Sequence, residues 1–148
     1  MAKVVYNPEN PQDSFATADL LELGTLARVG QAAPLFQGTA YHNGSLVTIE
    51  LQKLMEAGKW TVLFFYPADF TFVCPTELRD LASAYAQFQK LGVEVIGIST
   101  DTEWAHKVWV ETSPMLQGLS FPLLADPTGD VSRAYGVINI TPHAARVP

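Results

Sequence analysis

The single cysteine, Cys74, is the residue best suited to nucleophilic chemistry in this sequence. An apolar run before it predicts a buried strand over residues 60–66. Pro75 suits the first position of a helix, which makes Cys74 the predicted N-cap. Free N–H groups and the positive end of the helix dipole stabilise a thiolate at that place. We therefore expect a cysteine that reacts near neutral pH. The apolar stripe of the predicted helix, extended back four residues from Leu78, reaches Cys74, so we expect its thiol to face the core at the floor of a small pocket.

A lone cysteine is more often an inert part of a core than a nucleophile. The residues around Cys74 therefore have to indicate which of these two roles it has. Pro67 ends the predicted strand, and Thr71 places a hydroxyl three residues before the thiol. Taken singly, Thr71 is typical of an ordinary loop and Pro67 of a strand terminus. A disulfide reductase of the thioredoxin type would need Cys-x-x-Cys, and Thr71 stands where its first cysteine would be.

The elements that position this loop alternate between strand and helix. Asn43-Gly44 predicts a hairpin turn within residues 38–51, ahead of the first buried strand. The segments predicted after Cys74 are a helix from Pro75 to Gly92, a strand over 93–99, a helix with the capping-box spacing Thr100 to Glu103, a strand over 121–125, and a helix from Asp126-Pro127 to Gly136. This alternation predicts an α/β fold whose central sheet is mostly parallel and flanked by helices.

Composition excludes several classes of protein. The chain has 148 residues, of which 48% are hydrophobic, and a net charge of −6. One domain of this size buries about 70% of its unfolded surface, and one cysteine cannot form a disulfide scaffold. The scattered basic residues make nucleic acid an unexpected partner. We expect no membrane partner, because no run reaches about 18 apolar residues. The expected location is the cytoplasm.

The three histidines do not predict a metal site, because they are far apart and no cysteine pair accompanies them. Trp104, His106 and Trp109 lie at helical spacings that favour packing or a subunit contact. Asp126 and Asp130 flank a turn and predict a helix cap rather than a calcium loop. We therefore expect neither a metal nor a cofactor.

The segment FFYPADFTFVCPTEL, residues 64–78, resembles the active-site signature of the peroxiredoxins through Pro67-x3-Thr71-x2-Cys74. VGQAAPLF at residues 29–36, and the stretches 92–109 and 122–137, are also similar to that family. The resemblance is closest to the typical two-cysteine class, which includes the alkyl hydroperoxide reductase C-type subunits. It divides the chain into an N-terminal arm (1–29), a thioredoxin-like peroxiredoxin domain (30–137) and a non-matching tail (138–148).

The resemblance implies a thioredoxin-like fold and a thiol peroxidase, an antioxidant enzyme that reduces hydrogen peroxide and organic hydroperoxides. Cys74 would be the peroxidatic nucleophile that becomes a sulfenic acid. Thr71 would orient the peroxide, Pro67 would shield the sulfenic acid, and Glu77 would hold an active-site arginine. The implied partners are the hydroperoxide, an external thiol or thioredoxin-type reductant, and further copies of the chain in a homodimer or higher homo-oligomer.

The chain also departs from the family pattern. After Val137 it continues as INITPHAARVP, without an aligned counterpart of the family's active-site arginine or of its resolving cysteine. The family's C-terminal strands are missing from this pattern, so we expect an uncovered sheet edge. The alternative to an active peroxidase is a C-terminally truncated or divergent, inactive remnant, or a non-enzymatic, chaperone-like binding module.

Overall fold

The computed structural model describes residues 26–138, which form a mixed sheet with flanking helices. The strands are β1 (Gln37–His42), β2 (Ser45–Glu50), β3 (Trp60–Phe65), β4 (Val93–Ser99) and β5 (Leu123–Ala125). The helices are α1 (Leu51–Glu56), α2 (Cys74–Lys90), α3 (Glu103–Thr112) and α4 (Asp130–Ala134), with a short 3₁₀ helix at Pro114–Leu116. Most of the predicted arm, and the predicted tail beyond residue 138, lie outside the described residues.

The strand order is β2-β1-β5-β4-β3. Strands β3, β4 and β5 are parallel, whereas β1 is antiparallel to both β5 and β2. The α/β prediction is therefore confirmed, with the parallel strands on one side of the sheet and the hairpin on the other. In the sheet formed by residues 26–138, β3 is an edge strand, and its carboxyl end leads directly to Cys74.

The predicted hairpin is confirmed. Asn43 and Gly44 join β1 to β2 with φ angles of 48° and 85°. Positive φ at both central residues is the geometry of the two-residue turn that matches the twist of antiparallel strands. The turn fixes the register, which pairs His42 with Ser45.

Two helix starts differ from the prediction by one or two residues. Helix α2 has Val73 as its N-cap, so Cys74 occupies the first helical position and Pro75 the second. Helix α3 is capped by Thr102, whose hydroxyl accepts a hydrogen bond from the amide of Ala105 at 3.3 Å. The capping box predicted from Thr100 is wrong because β4 ends at Ser99 and the intervening turn is held by hydrogen bonds between Ser99 and Asp101.

The C-terminal elements start later than predicted. Strand β5 begins at Leu123, because Pro122 has no N–H and contributes only its carbonyl, which accepts from Gly97 at 3.0 Å. Helix α4 begins at Asp130 rather than behind Asp126. The Asp126 carboxylate still caps that helix, because it accepts from the amide of Ser132 at 2.8 Å.

The parallel strands β3, β4 and β5 carry buried side chains on both faces of the sheet. Along β3, Leu63 belongs to one buried cluster and Phe64 to the other, as the alternation of a strand requires. Leu123 and Leu124 divide in the same way on β5. The cluster that holds Phe64 also contains Cys74, so the packing of one sheet face fixes the place of the thiol.

Candidate active site

Cys74 lies at the first position of the 17-residue helix α2, at the end of the loop that follows β3. The residue is 5% exposed and packs in the same buried cluster as Tyr66 and Leu78. The expectation that its thiol faces the core is therefore confirmed. Pro75 supplies no N–H to the first turn, which leaves fewer backbone donors near the thiol than another residue would provide.

Thr71 is half-buried, three residues before Cys74. Its hydroxyl donates to the carbonyl of Ala68 at 3.1 Å and so closes a tight turn in the loop. A hydroxyl carries one proton and two acceptor lone pairs. While this bond holds, Thr71 can accept a hydrogen bond from a ligand but cannot donate one to a thiolate or to a peroxide.

Pro67 and Glu77 flank the loop on its two sides. Pro67 is exposed and lies two residues after the end of β3, as a strand terminator should. Glu77 is half-buried in the first turn of α2. The nearest arginine in sequence, Arg79, lies 3.8 Å from the carboxylate of Asp80, and Arg133 pairs with Asp130 at 2.6 Å.

A buried polar network lies beneath the loop, and sequence reasoning did not identify it. His106 Nδ1 lies 2.7 Å from Oδ2 of Asp69, and the Tyr66 hydroxyl donates to Oδ1 of Asp69 at 2.8 Å. Burial, followed by the Asp69 charge, raises the pKa of Tyr66 well above its ordinary value. Two features of the sequence hinted at this network. His106 and Trp109 have the spacing of one helix face, and an aspartate lies in the cysteine loop.

The predicted packing role of the α3 aromatic residues is confirmed in part. His106 and Trp109 are buried, whereas Trp104 is 60% exposed. Within residues 26–138, no three histidine, cysteine, aspartate or glutamate side chains are grouped to hold a metal ion.

Apolar side chains surround the cysteine loop on its outer side. Phe72 is 96% exposed, and Phe70 and Val73 are also exposed. Trp104 and Val108 add exposed apolar surface on α3. The ring of Phe70 contacts that of the buried Trp109 at a centroid distance of 6.0 Å, so the loop packs against α3. None of the helices in the described part of the chain is long and apolar enough to cross a membrane.

The sequence matches a family model described as the AhpC/TSA family over residues 29–147. It is 49% identical over 102 residues to alkyl hydroperoxide reductase C of Pseudomonas aeruginosa, covering 69% of this chain and 54% of that protein. It is 46% identical over 100 residues to alkyl hydroperoxide reductase C of Escherichia coli, covering 68% of this chain and 52% of that protein. The chain thus spans about half the length of these curated relatives.

Solved structures share the fold. Enterococcus faecalis AhpC superposes with a TM-score of 0.68 at 40% identity, over 72% of this chain and 62% of that one. The reduced 2-Cys peroxiredoxin of Plasmodium vivax gives a TM-score of 0.72 at 34% identity, over 77% of this chain and 61% of that one. The predicted thioredoxin-like architecture is therefore confirmed for the described residues.

Proposed function

The chain belongs to the AhpC/TSA family, and from that premise we propose that it is a thiol-dependent peroxidase acting on hydrogen peroxide and organic hydroperoxides. The observation that carries the proposal is the position of Cys74: a buried thiol at the first residue of α2, behind the Pro67-to-Thr71 loop. The names of the full-length relatives support the same reaction class. We keep residues 30–137 as the proposed catalytic domain, between the arm and the tail.

The proposed first step is a two-electron oxidation of Cys74. Its thiolate attacks the terminal oxygen of the hydroperoxide, an S–O bond forms as the O–O bond breaks, and the leaving alkoxide or hydroxide takes up a proton. The products are a cysteine sulfenic acid and an alcohol or water. The loop can assist by holding the peroxide in line with the sulfur, because orientation removes much of the entropic part of such a barrier.

Thr71 and Pro67 are the proposed neighbours of the reacting atoms. Thr71 would orient the peroxide after exchanging its bond to Ala68 for one to the ligand. Pro67, at the strand end, would restrict the approach to the sulfenic acid and so limit further oxidation. Both roles rest on the spacing of these residues from Cys74 and on their shared loop.

Reduction of the sulfenic acid is proposed to use an external thiol, which can condense directly with a sulfenic acid at Cys74. One thiol condenses with the sulfenic acid to a mixed disulfide and water, and a second thiol releases Cys74. A small thiol or a thioredoxin-type protein would serve. A reducing compartment suits this chemistry, and we propose the cytoplasm.

Self-association into a homodimer or higher homo-oligomer is also proposed. It is supported by the exposed apolar side chains of Phe70, Phe72 and Val73 on the cysteine loop. Sedimentation velocity should find a species larger than the monomer that a Phe72→Glu variant shifts toward the monomer. A monomer at all concentrations would contradict this part of the proposal.

The experiment that tests the reaction is rapid mixing with one equivalent of hydrogen peroxide in the presence of a sulfenic-acid trap, followed by peptide mass analysis. We expect trapped sulfenic acid at Cys74 in the folded protein, formed much faster than in the urea-unfolded chain. Cys74→Ser should abolish peroxide consumption. Consumption that survives this substitution, or oxidation of Cys74 no faster than in the unfolded chain, would reject a peroxidase and leave a remnant or a binding module.

A further inference from the structure

Asp69, His106 and Tyr66 form a buried, hydrogen-bonded cluster. The side chains of Asp69 and His106 are both 0% exposed. His106 Nδ1 lies 2.7 Å from Oδ2 of Asp69, and its Nε2 lies 3.2 Å from the carbonyl oxygen of Leu124. The Tyr66 hydroxyl donates to the other carboxylate oxygen at 2.8 Å. The proposed chemistry at Cys74 uses none of these groups.

Both ring nitrogens of His106 have hydrogen-bonding partners. Both of its ring nitrogens face acceptors, a carboxylate on one side and a backbone carbonyl on the other. Both side chains are thus hydrogen-bonded at their polar atoms, which offsets the cost of burying them.

The cluster joins the carboxyl ends of the three parallel strands. Tyr66 directly follows β3, and Leu124 belongs to β5. The backbone amide of Asp69 donates to the carboxylate of Asp101 at 2.8 Å, and Asp101 also accepts from Ser99 at the end of β4 at 2.7 Å. Asp69 is thus held through its side chain and its backbone together, in the middle of the loop that leads to Cys74.

The residue after Asp69 has an unfavourable backbone conformation. Phe70 has a φ of 57°, in the left-handed region that aromatic side chains rarely adopt. Such a conformation is energetically costly and persists only where the surrounding structure imposes it. The fixed Asp69 on one side and the contact of Phe70 with Trp109 on the other supply that constraint.

We propose that the buried Asp69–His106 pair is a positioning device for Cys74, a role that rests on the proposed peroxidase function. The pair anchors Asp69, the anchored residue holds Phe70 in its left-handed conformation, and that reversal sets the direction in which residues 71–73 approach helix α2. Asp69 and His106 are positioning residues, because they act on the thiol through the loop.

The test compares three substitutions. Asp69→Ala removes the anchor. Asp69→Asn keeps it, because the amide can accept from Tyr66 and donate to the Nδ1 of a neutral His106, whose Nε2–H still reaches Leu124. Asp126→Ala is the matched control, since Asp126 is another buried aspartate at a strand end with hydrogen bonds to a helix, and it is outside the cysteine loop.

Two readouts separate positioning from chemistry. Amide hydrogen exchange of the peptide covering residues 67–74 should become at least about tenfold faster in Asp69→Ala and stay near wild type in Asp69→Asn and in Asp126→Ala. The rate of Cys74 oxidation by peroxide should fall about 10- to 100-fold in Asp69→Ala and be restored in Asp69→Asn. If Asp69→Ala does not fold, Tyr66→Phe should give a smaller change of the same kind.

The proposal is overturned if loop exchange in Asp69→Ala matches that in Asp126→Ala, or if Cys74 oxidation in Asp69→Ala equals that of wild type. Failure of the peroxidase function gives a different result: wild-type Cys74 would then react no faster than in the unfolded chain. The exchange measurement would still decide whether Asp69 and His106 hold the loop.

Discussion

The Cδ2 atom of Leu123 lies 2.6 Å from the point where a β-carbon on Gly97 would stand. These residues are partners on the adjacent parallel strands β4 and β5. Ring atoms of Phe121 and Tyr66 lie 3.5 and 3.6 Å from the same point. Gly97 is therefore required for close packing in the cluster that also contains Cys74.

Gly97→Ala should lower the free energy of unfolding by about 1–3 kcal/mol, because Leu123 must leave its present position to admit the methyl group. Urea unfolding followed by circular dichroism measures the change. In a Leu123→Ala background the clashing side chain is gone. There, Gly97→Ala should lower the free energy of unfolding by less than it does in wild type. An unchanged unfolding midpoint in the single variant would contradict the packing.

Gly44→Ala should destabilise the protein for a different reason. A β-carbon at this position meets nothing within 4 Å, but φ is +85°. The cost is conformational and should be about 1 kcal/mol, since an L-residue rarely adopts this geometry. Gly44→Asn should cost less, because asparagine tolerates positive φ best among residues with side chains. Equal losses in both variants would argue against a backbone origin.

Thr61→Val should raise stability by about 1 kcal/mol. Thr61 is 2% exposed on β3, and its hydroxyl has no hydrogen-bond partner within residues 26–138. Replacing an unpaired buried hydroxyl by a methyl group of similar shape removes a desolvation penalty. Thr61→Ser keeps the hydroxyl and should not stabilise. A loss of stability in Thr61→Val would mean that this hydroxyl has a partner.

Stability should fall at alkaline pH because of three buried tyrosines. Burial raises the pKa of Tyr66, of Tyr85 and of Tyr135 above the ordinary value of about 10. The folded state therefore favours the protonated phenols. Their contribution to the free energy of unfolding is fully present below pH 10 and decreases as pH rises beyond that value. The measurement is the unfolding free energy in urea at pH 8 and at pH 11.

Tyr135→Phe is the informative variant for this pH effect. Near neutral pH it should cost about 1 kcal/mol, because it removes the hydrogen bond that the hydroxyl donates to the carbonyl of Pro34 at 2.7 Å. Its loss of stability between pH 8 and pH 11 should be smaller than that of wild type, since one titrating group is gone. An identical decrease in both proteins would contradict the assignment to Tyr135.

The parts of the fold set by local pattern could be predicted from the sequence. The bounds of β4 and the Asn43-Gly44 turn depend on apolar runs and on φ preferences, and both predictions are confirmed. The burial of Cys74 could be predicted from the apolar stripe of α2.

The rest depends on contacts between distant segments, which local patterns do not encode. Asp126 looks like a residue at the start of a helix, yet it caps α4 from four residues before Asp130. The partnership of Asp69 with His106 joins residues 37 positions apart, and no spacing rule connects them. The place of Thr71 three residues before the thiol could likewise be read from the sequence, but not its bond to Ala68.

Thr71→Val should slow the oxidation of Cys74 by hydrogen peroxide by about 10- to 100-fold, because the variant can neither orient the peroxide nor bond to Ala68. Thr71→Ser retains the hydroxyl and should stay within a few-fold of wild type. The measurement is a second-order rate constant from rapid mixing with trapped sulfenic acid.

Alkylation of Cys74 by iodoacetamide supplies the control for this last prediction, because it needs the thiolate but no oriented peroxide. If Thr71 acts on the peroxide, Thr71→Val should lower the oxidation rate far more than the alkylation rate. If the hydroxyl acts only by closing the turn at Ala68, both rates should change together, and hydrogen exchange over residues 67–74 should rise. Equal oxidation rates in Thr71→Val and wild type would remove Thr71 from the proposed mechanism.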